Sequence, residues 1–257
     1  MVTYLDRIIE QHRASAAADT RSLDELVAEA TSLTATRGFR RALVDADGLA
    51  VIAEIKRRSP SKGDLAMALD PHTLARTYED GGATCLSVLT DEEFFGGSPG
   101  DLRAAREACS LPVLRKDFTV SPLDVVDARL MGADCVLLIA AALDISELAE
   151  LHRLAFDLRL DALVEIHDER ELDAAVRVGA TLIGVNQRDL TTFEVDHERA
   201  VRMAAAIPDG IVKVAESGVR GRDDARALRD AGYDAILVGE TLVTSADPAG
   251  AIADLLT

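Results

Sequence analysis

Six polar side chains, five of them able to donate or accept a proton, follow apolar runs of the sequence. They are Glu54, Lys56, Lys116, Glu165, Asn186 and Glu216. For any one of them taken alone, a salt bridge at a protein rim is the better explanation. Burying an unpaired charge costs several kcal/mol, so six such residues at the ends of five apolar runs are hard to explain by packing. Crowded carboxylates and ammonium groups shift one another's pKa values, which favours acid–base catalysis.

Small residues after the last two apolar runs are suited to binding a phosphate ester. Ser217 and Gly218 follow Glu216 directly, and Gly239 and Glu240 follow the last run. Glycine lets backbone N–H groups approach phosphate oxygens, although a single glycine also makes turns. The paired placement favours a phosphate site. A carboxylate at Glu240 would repel the phosphate, so we expect its side chain to turn away and its backbone N–H to face inward.

A cationic loop and two aromatic residues extend this set of candidates. Residues 57–63 form a loop with Ser59 and Pro60, which we expect to act as a lid that brings charge and a hydroxyl to the phosphate. A solvated loop with a Ser-Pro turn is the alternative. Phe95 and Phe118 follow the second and third apolar runs, where either an aryl pocket or loop packing explains them.

An internal repeat predicts the elements that position these side chains. Four segments share a helix end, a glycine and then a buried strand, and their glycines are Gly82, Gly132, Gly179 and Gly232. These glycines are 50, 47 and 53 residues apart. A strand, a helix and two loops take about 25 residues, so each interval holds two βα units. The interleaved strands are predicted at residues 49–55, 112–115, 161–166 and 211–215.

Eight alternating units predict an α/β fold, a (β/α)8 TIM barrel. Helix starts support the alternation, since an N-cap residue and a proline stand together at positions 70–71, 98–99, 121–122 and 247–248. The six polar side chains then lie at the C-terminal ends of strands, the face where this fold performs chemistry. A doubly wound open sheet is the alternative, and the lack of a GxGxxG motif after the first strand disfavours it.

Residues 1–45 precede the repeat, and the eight units occupy residues 46–257. Apolar spacing predicts two amphipathic helices in the first part, at residues 3–13 and 22–33, packed on the barrel as an N-terminal extension. A flexible tail is the alternative, which the apolar side chains of these helices disfavour. Without a Ser-, Gly- or Pro-rich linker, we expect one domain over residues 1–257.

Composition limits the partners of this chain. A net charge of −17 argues against a nucleic-acid-binding surface. The sequence contains neither a bilayer-length apolar run nor a signal-peptide block, so we expect no membrane and a cytoplasmic location. Three widely spaced cysteines and five scattered histidines predict reduced thiols, no protein-held metal and no cofactor. The pattern shows no large apolar patch, so a monomer is expected.

Taken together, these segments resemble the indole-3-glycerol phosphate synthase family. The resemblance is carried by residues 52–63, 114–118, 163–166, 183–190, 214–218 and 237–239. It covers nearly the whole chain and includes the N-terminal extension. The motifs at residues 52–63 and 114–118 are highly specific, whereas those of the last two strands are shared with other phosphate-binding barrels.

The resemblance implies a phosphorylated small-molecule substrate, 1-(2-carboxyphenylamino)-1-deoxyribulose 5-phosphate. Ring closure, loss of CO2 and dehydration convert it to indole-3-glycerol phosphate in tryptophan biosynthesis. By resemblance, Lys116 is the general acid of ring closure. Lys56 contacts the carboxylate and helps to protonate the departing hydroxyl. Glu165 is the general base, and Glu54 assists proton transfer.

The remaining candidates take binding roles by the same resemblance. Asn186 and Glu216 orient the amine and hydroxyls, and Arg188 meets the substrate carboxylate or the lid. The phosphate is held by Ser59, Ser217, Gly218 and Gly239. The aryl pocket is lined by Phe95, Phe118, Leu137 and Leu190.

Two other functions remain open from the sequence. Another phosphate-handling barrel, such as phosphoribosylanthranilate isomerase, would not need a lysine at both Lys56 and Lys116. A non-catalytic phosphosugar-binding barrel would need the phosphate site, but it would not need opposed acids and bases.

Overall fold

The computed structural model describes residues 3–188 and 195–256, with only the backbone of His197. Within these residues, eight parallel strands form a closed barrel in which each strand pairs with its neighbours in sequence and the last pairs with the first. The strands are β1 (Ala50–Ile55), β2 (Cys85–Leu89), β3 (Val113–Lys116), β4 (Cys135–Ile139), β5 (Asp161–Ile166), β6 (Leu182–Asn186), β7 (Val212–Glu216) and β8 (Ala235–Val238). The predicted TIM barrel is confirmed.

Helices surround the barrel and extend the chain before it. The three that precede β1 are α1 (Tyr4–Ala18), α2 (Leu23–Ser32) and α3 (Phe39–Val44). One helix follows each of the first seven strands: α4 (Pro71–Asp80), α5 (Pro99–Ala108), α6 (Pro122–Met131), α7 (Ile145–Asp157), α8 (Glu169–Arg177), α9 (His197–Ala206) and α10 (Arg222–Asp230). After β8 come α11 (Glu240–Val243) and α12 (Pro248–Leu255).

The sequence signals for helix ends are confirmed. The N-cap residues Asp70, Ser98, Ser121 and Asp247 each accept a hydrogen bond from a first-turn backbone N–H, with proline directly after them. The four glycines that mark the repeat have φ between +81° and +93°. Side chains other than glycine rarely adopt this left-handed conformation, so these positions end the helices and turn the chain into the next strand.

Strand alternation divides the apolar residues into two clusters. Outward residues such as Val51 and Ala53 pack beneath the helices, whereas inward residues such as Ile52 and Leu114 fill the barrel interior. The short helix α3, which the sequence did not predict, contributes Phe39 and Leu43 to the interior cluster. Its contacts with β2 and β7 close the N-terminal end of the barrel.

The N-terminal extension packs on the barrel, as expected. Helix α2 contacts α6, and Ala30 is buried in the outer cluster. Helix α1 is longer than the predicted residues 3–13, because it continues through a run of alanines and serine that favours helix. Arg13 of α1 forms an ion pair with Glu147 of α7 at 2.7 Å. Among the described helices, none combines the length and apolarity needed to cross a bilayer.

Candidate active site

A cavity of about 550 Å³ lies at the C-terminal end of the barrel. Its position follows from strand alternation, because a residue two positions after an inward-facing residue also faces inward. Ile52 thus precedes Glu54, and Leu114 precedes Lys116. The structure brings all six predicted acid–base and orienting residues to this cavity: Glu54, Lys56, Lys116, Glu165, Asn186 and Glu216.

Lys116 lines the cavity and lies between two carboxylates. Its Nζ lies 3.0 Å from Glu165 Oε2 and 3.2 Å from Glu216 Oε2. Both glutamates are buried, and the lysine side chain is 16% exposed. Burial disfavours the charged ammonium, but the negative charges of Glu165 and Glu216 outweigh it and raise the pKa of Lys116. The lysine therefore enters the reaction protonated.

The two carboxylates beside Lys116 differ in protonation. Burial opposes ionisation of Glu165, yet Lys116, His167 and a hydrogen bond from Asn186 lower its pKa. Burial, reinforced by the charge of Glu165, raises the pKa of Glu216 to about 7. The two carboxylates thus share a proton near neutral pH, with Glu165 ionised and Glu216 partly protonated. The cavity therefore contains an ionised carboxylate, that of Glu165, directly beside groups that carry a proton.

A second ion pair lies on the β1 side of the cavity. Lys56 Nζ donates a hydrogen bond to Glu54 Oε1, and both side chains are mostly buried. The backbone carbonyl of Glu54 accepts a hydrogen bond from the hydroxyl of the buried Tyr78 at 3.1 Å. Lys56, directly after β1, and Lys116, at the end of β3, are thus two mostly buried ammonium groups of the cavity, each paired with carboxylates.

Two glycines leave room for these charged groups, and sequence reasoning did not identify this role. A Cβ at Gly184 of β6 would lie 2.0 Å from Glu216 Oε1. A Cβ at Gly239 would lie 2.3 Å from Glu54 Oε1 and 3.0 Å from Lys56 Nζ. Gly184 lies two residues before Asn186 and so faces the barrel interior. This alternation along the strand was the only sequence signal of its position.

We expect Gly184→Ala to fold but to displace Glu216 from Lys116. Overpacking of this kind costs about 1–3 kcal/mol, and we expect the free energy of unfolding to fall by that amount. A displaced carboxylate changes charge at the reacting centre, so kcat/KM should fall about 10–100-fold. Steady-state kinetics and urea unfolding measure both effects. Gly100→Ala is the matched control, because its nearest atom, Ser98 Oγ, is 3.4 Å from the added carbon. Unchanged kcat/KM in Gly184→Ala would contradict this account.

The phosphate candidates line the same cavity. Ser59, Pro60, Ser217, Gly218 and Gly239 all line it. Ser217 has φ +68° and Gly218 has φ +78°. A serine in the left-handed region is strained, and such strain clusters at ligand sites. This turn directs the chain after Glu216 along the cavity wall.

The loop after β1 reaches the same wall as a small hairpin. Arg58–Ser59 pairs antiparallel with Gly63–Asp64. Lys62 at its tip lies with Nζ 3.3 Å from Glu240 Oε1, and both side chains are about half exposed. This ion pair offsets the carboxylate charge that would otherwise repel a phosphate.

The aromatic candidates form an apolar side of the cavity. The ring centroids of Phe95 and Phe118 are 6.0 Å apart, and Leu137 lies on the same lining. Arg188 also lines the cavity, and its backbone N–H donates to Asn186 Oδ1 at 3.0 Å. Leu190, the fourth predicted aryl contact, lies outside the described residues.

Helix α1 adds cavity residues that sequence reasoning missed. Tyr4, Leu5 and Ile8 line the cavity from the side of the N-terminal extension. Nothing in the apolar spacing of α1 distinguishes a residue that covers a cavity from one that packs on a core.

A polar cluster joins α1 to the loops after β2 and β3. His12 Nε2 lies 3.0 Å from Asp91 Oδ2 and 3.9 Å from Asp117 Oδ1. These three residues place possible metal-ligand atoms within 4.8 Å of one another. Asp117 is also paired with Arg115 at 2.8 Å, so the cluster already balances its charges as an ion-pair network.

Known proteins resemble this chain over almost its whole length. The family model described as indole-3-glycerol phosphate synthase matches residues 5–255. The indole-3-glycerol phosphate synthase of Mycolicibacterium vanbaalenii is 52% identical, over 99% of this chain and 94% of that protein. That of Mycobacterium avium is 51% identical over the same shares.

Solved structures with low sequence identity share the fold. A 3-hexulose-6-phosphate synthase has a TM-score of 0.62 and 17% identity, covering 80% of this chain and 98% of that chain. A thiamine phosphate pyrophosphorylase from Pyrococcus furiosus has a TM-score of 0.60 and 18% identity, covering 80% and 93%. These similarities concern the barrel alone.

The family match decides between the functions that the sequence left open. It removes the isomerase and the non-catalytic binding barrel, and it accounts for two lysines in one cavity. The chain belongs to the indole-3-glycerol phosphate synthase family, the decarboxylating lyases that form the indole ring in tryptophan biosynthesis.

Proposed function

We propose that Lys116 and Glu165 are the general acid and the general base of the reaction that forms indole-3-glycerol phosphate. The observation that carries this assignment is the position of the Lys116 ammonium in the cavity, 3.0 Å from a buried, ionised Glu165. An acid and a base in direct contact can act on neighbouring atoms of one substrate. The substrate is 1-(2-carboxyphenylamino)-1-deoxyribulose 5-phosphate.

Ring closure uses Lys116 as the acid. The aryl carbon that carries the carboxylate attacks the ribulose carbonyl carbon, and Lys116 gives its proton to the carbonyl oxygen. A carbon–carbon bond forms, the C=O bond becomes a C–OH bond, and Lys116 becomes neutral. The carbon–carboxylate bond then breaks, CO2 leaves, and its electron pair restores the aromatic ring.

Dehydration uses the second ammonium group and the base. Lys56 protonates the hydroxyl, which leaves as water, while Glu165 removes a proton from the adjacent carbon and the ring double bond forms. Glu54 assists because it is hydrogen-bonded to Lys56. The contact between Glu165 and Lys116 provides a direct path for the abstracted proton to return to the neutral lysine.

Binding contacts hold the two ends of the substrate apart. We assign the phosphate to Ser59, Pro60, Ser217, Gly218, Gly239 and the backbone of Glu240. The aryl ring is assigned to Phe95, Phe118, Leu137 and Leu190. Asn186 and Glu216 orient the amine and hydroxyls, and Arg188 meets the substrate carboxylate or the lid. Support for the first two groups is that their described members line one cavity, the phosphate candidates from the loops after β1, β7 and β8 and the aryl candidates from β4 and the loops after β2 and β3.

Glu165→Gln tests the assignment of the base. The amide is similar in size and still accepts a hydrogen bond, but it cannot take a proton, so kcat should fall at least about 100-fold. KM should change only a few-fold, because most binding contacts remain. Indole fluorescence reports the product. Glu150→Gln, on the exposed face of α7, is the matched control. Near-normal turnover by Glu165→Gln would refute the role of Glu165.

Organisation and location are proposed on separate grounds. One domain over residues 1–257 is supported by contacts of α1 and α2 with the barrel, which make residues 1–45 an extension of it. A monomer remains the expected state. A cytoplasmic location is supported by three buried, free cysteines, which are typical of a reducing compartment.

A further inference from the structure

His167 lies behind Glu165 and has no role in the mechanism described above. It follows the end of β5 and is not among the described residues that line the cavity. Its Nε2 lies 3.6 Å from Glu165 Oε1, and its side chain is 13% exposed. The imidazole therefore approaches the proposed base without itself lining the cavity.

Glu171 of α8 fixes the orientation of this imidazole. Its Oε2 lies 3.0 Å from His167 Nδ1 and also accepts a hydrogen bond from the backbone N–H of His167 at 2.7 Å. The Nδ1 proton therefore belongs to the contact with Glu171, which leaves Nε2 directed at Glu165. Nε2 is buried and has no hydrogen-bond partner among the described residues. At 3.6 Å its interaction with Glu165 is an attraction between charges.

Lys116 by itself does little to distinguish the two carboxylates that it contacts. Its distances to Glu165 and Glu216 differ by only 0.2 Å, and both carboxylates are buried. A proton shared by two such similar carboxylates cannot be assigned to either one unless another group stabilises the charge on one of them. Asn186 donates to Glu165 Oε1 at 3.1 Å, whereas Glu216 Oε1 has no hydrogen-bond partner among the described residues. The environment therefore favours charge on Glu165.

We propose that His167, held by Glu171, is a positioning residue that keeps the shared proton on Glu216 and leaves Glu165 ionised as the base. The proposal rests on the role of Glu165 proposed above. The charged groups that face the imidazole are Glu165 on β5, the strand that His167 follows, Glu171 on α8 and Glu216 on β7. Lys116 on β3 lies across Glu165. His167 supplies positive charge on the side of Glu165 that Lys116 does not reach.

The sign of the effect follows from the charges. Burial opposes protonation of His167, but Glu171 and Glu165 outweigh it and raise its pKa, so the imidazolium persists above pH 6.5. The imidazolium in turn lowers the pKa of Glu165. Without it, the proton that the pair binds near pH 7 is divided between Glu165 and Glu216. Activity below neutral pH should then fall, because part of the base is protonated.

The test is the pH profile of kcat/KM for His167→Asn. Asparagine retains a donor toward Glu171 but carries no charge. We expect the acidic limb of the profile to move to higher pH by about one unit, with little change in KM at pH 8. A purely structural role would lower kcat/KM at every pH without moving the limb. His152→Asn, on α7 and away from the cavity, is the matched control and should leave the profile unchanged.

Glu171→Gln provides a second variant that keeps His167 itself. It removes the charge that stabilises the imidazolium, so its acidic limb should move in the same direction by a smaller amount. It also replaces His167→Asn if that variant does not fold. An unmoved limb in the folded variants would overturn the role of His167. If the limb does not move but Glu165→Gln is inactive, only the role of His167 fails and the proposed function stands. If Glu165→Gln is active, the proposed role of Glu165 as the base fails.

Discussion

Lys116→Ala is expected to lower kcat about 10⁴-fold, a larger loss of activity than any other single substitution in the cavity should cause. In the proposed mechanism the lysine gives its proton to the carbonyl oxygen in ring closure, and its ammonium lies between the carboxylates of Glu165 and Glu216. Without the ammonium, the two carboxylates compete for protons and no acid remains at that oxygen. The proposed phosphate and aryl contacts are made by other residues of the cavity, so substrate affinity should change far less than kcat.

Indole fluorescence measures turnover, and calorimetric titration of the inactive variant with substrate measures affinity. Lys213→Ala is the matched control. Lys213 lies near the start of β7, away from the cavity, and its amine donates to the backbone carbonyl of Ala204 in α9. A thermal melt confirms that each variant is folded. Robust turnover by folded Lys116→Ala would refute its role as the acid while leaving the barrel assignment intact.

Asp134→Ala is expected to lower the free energy of unfolding by about 3–5 kcal/mol, the largest single effect on stability. Asp134 precedes β4 at the N-terminal end of the barrel and is fully buried. Its carboxylate accepts hydrogen bonds from the backbone N–H groups of Arg37 and Val113, at 2.7 and 2.8 Å, and pairs with Arg106. Removing it leaves one buried and one partly buried N–H donor, and the cation of Arg106, without their partner.

Urea unfolding at equilibrium measures this loss. Asp45→Ala is the matched control, because Asp45 is exposed and forms only an i,i+4 pair with Arg41. Such a surface pair contributes about 0.3–0.5 kcal/mol. Since Asp134 lies at the opposite end of the barrel from the cavity, kcat/KM of the folded variant should match that of the unsubstituted enzyme. A loss no larger than that of Asp45→Ala would contradict the assignment of Asp134 as a structural anchor.

The fold was predictable because its signals are local and periodic. Each glycine that ends a helix at left-handed φ is followed by a buried strand, so four glycines at regular intervals were enough to count eight strands. The convergence of the polar side chains was predictable for a related reason. Alternation along a strand and the common direction of parallel strands together fix which side chains meet at one end.

The features that sequence reasoning missed depend on contacts between distant parts of the chain. The six residues of α3 are too few for a periodic apolar pattern, and the helix is stabilised by packing in the barrel interior. Gly184 resembles any other strand glycine until Glu216 is placed beside it. His167 was missed for a different reason, because its partners Glu165 and Glu171 are only two and four residues away but nothing in the sequence shows that its ring is directed at Glu165. No single-sequence pattern contains these pairings.

The lining of the cavity also determines where this protein can be chemically labelled. The sequence has four lysines, and Lys56, Lys62 and Lys116 all line the cavity. Lys62 is 51% exposed, whereas the side chains of the other two are 16% exposed. Amine-directed dyes, crosslinkers and activated resins are therefore expected to react with lysine side chains chiefly at Lys62, on the lining of the candidate active site. Because the three native cysteines are buried, an engineered surface thiol on the exterior offers a selective point of immobilisation for assay or biocatalysis, and lysine coupling should be avoided.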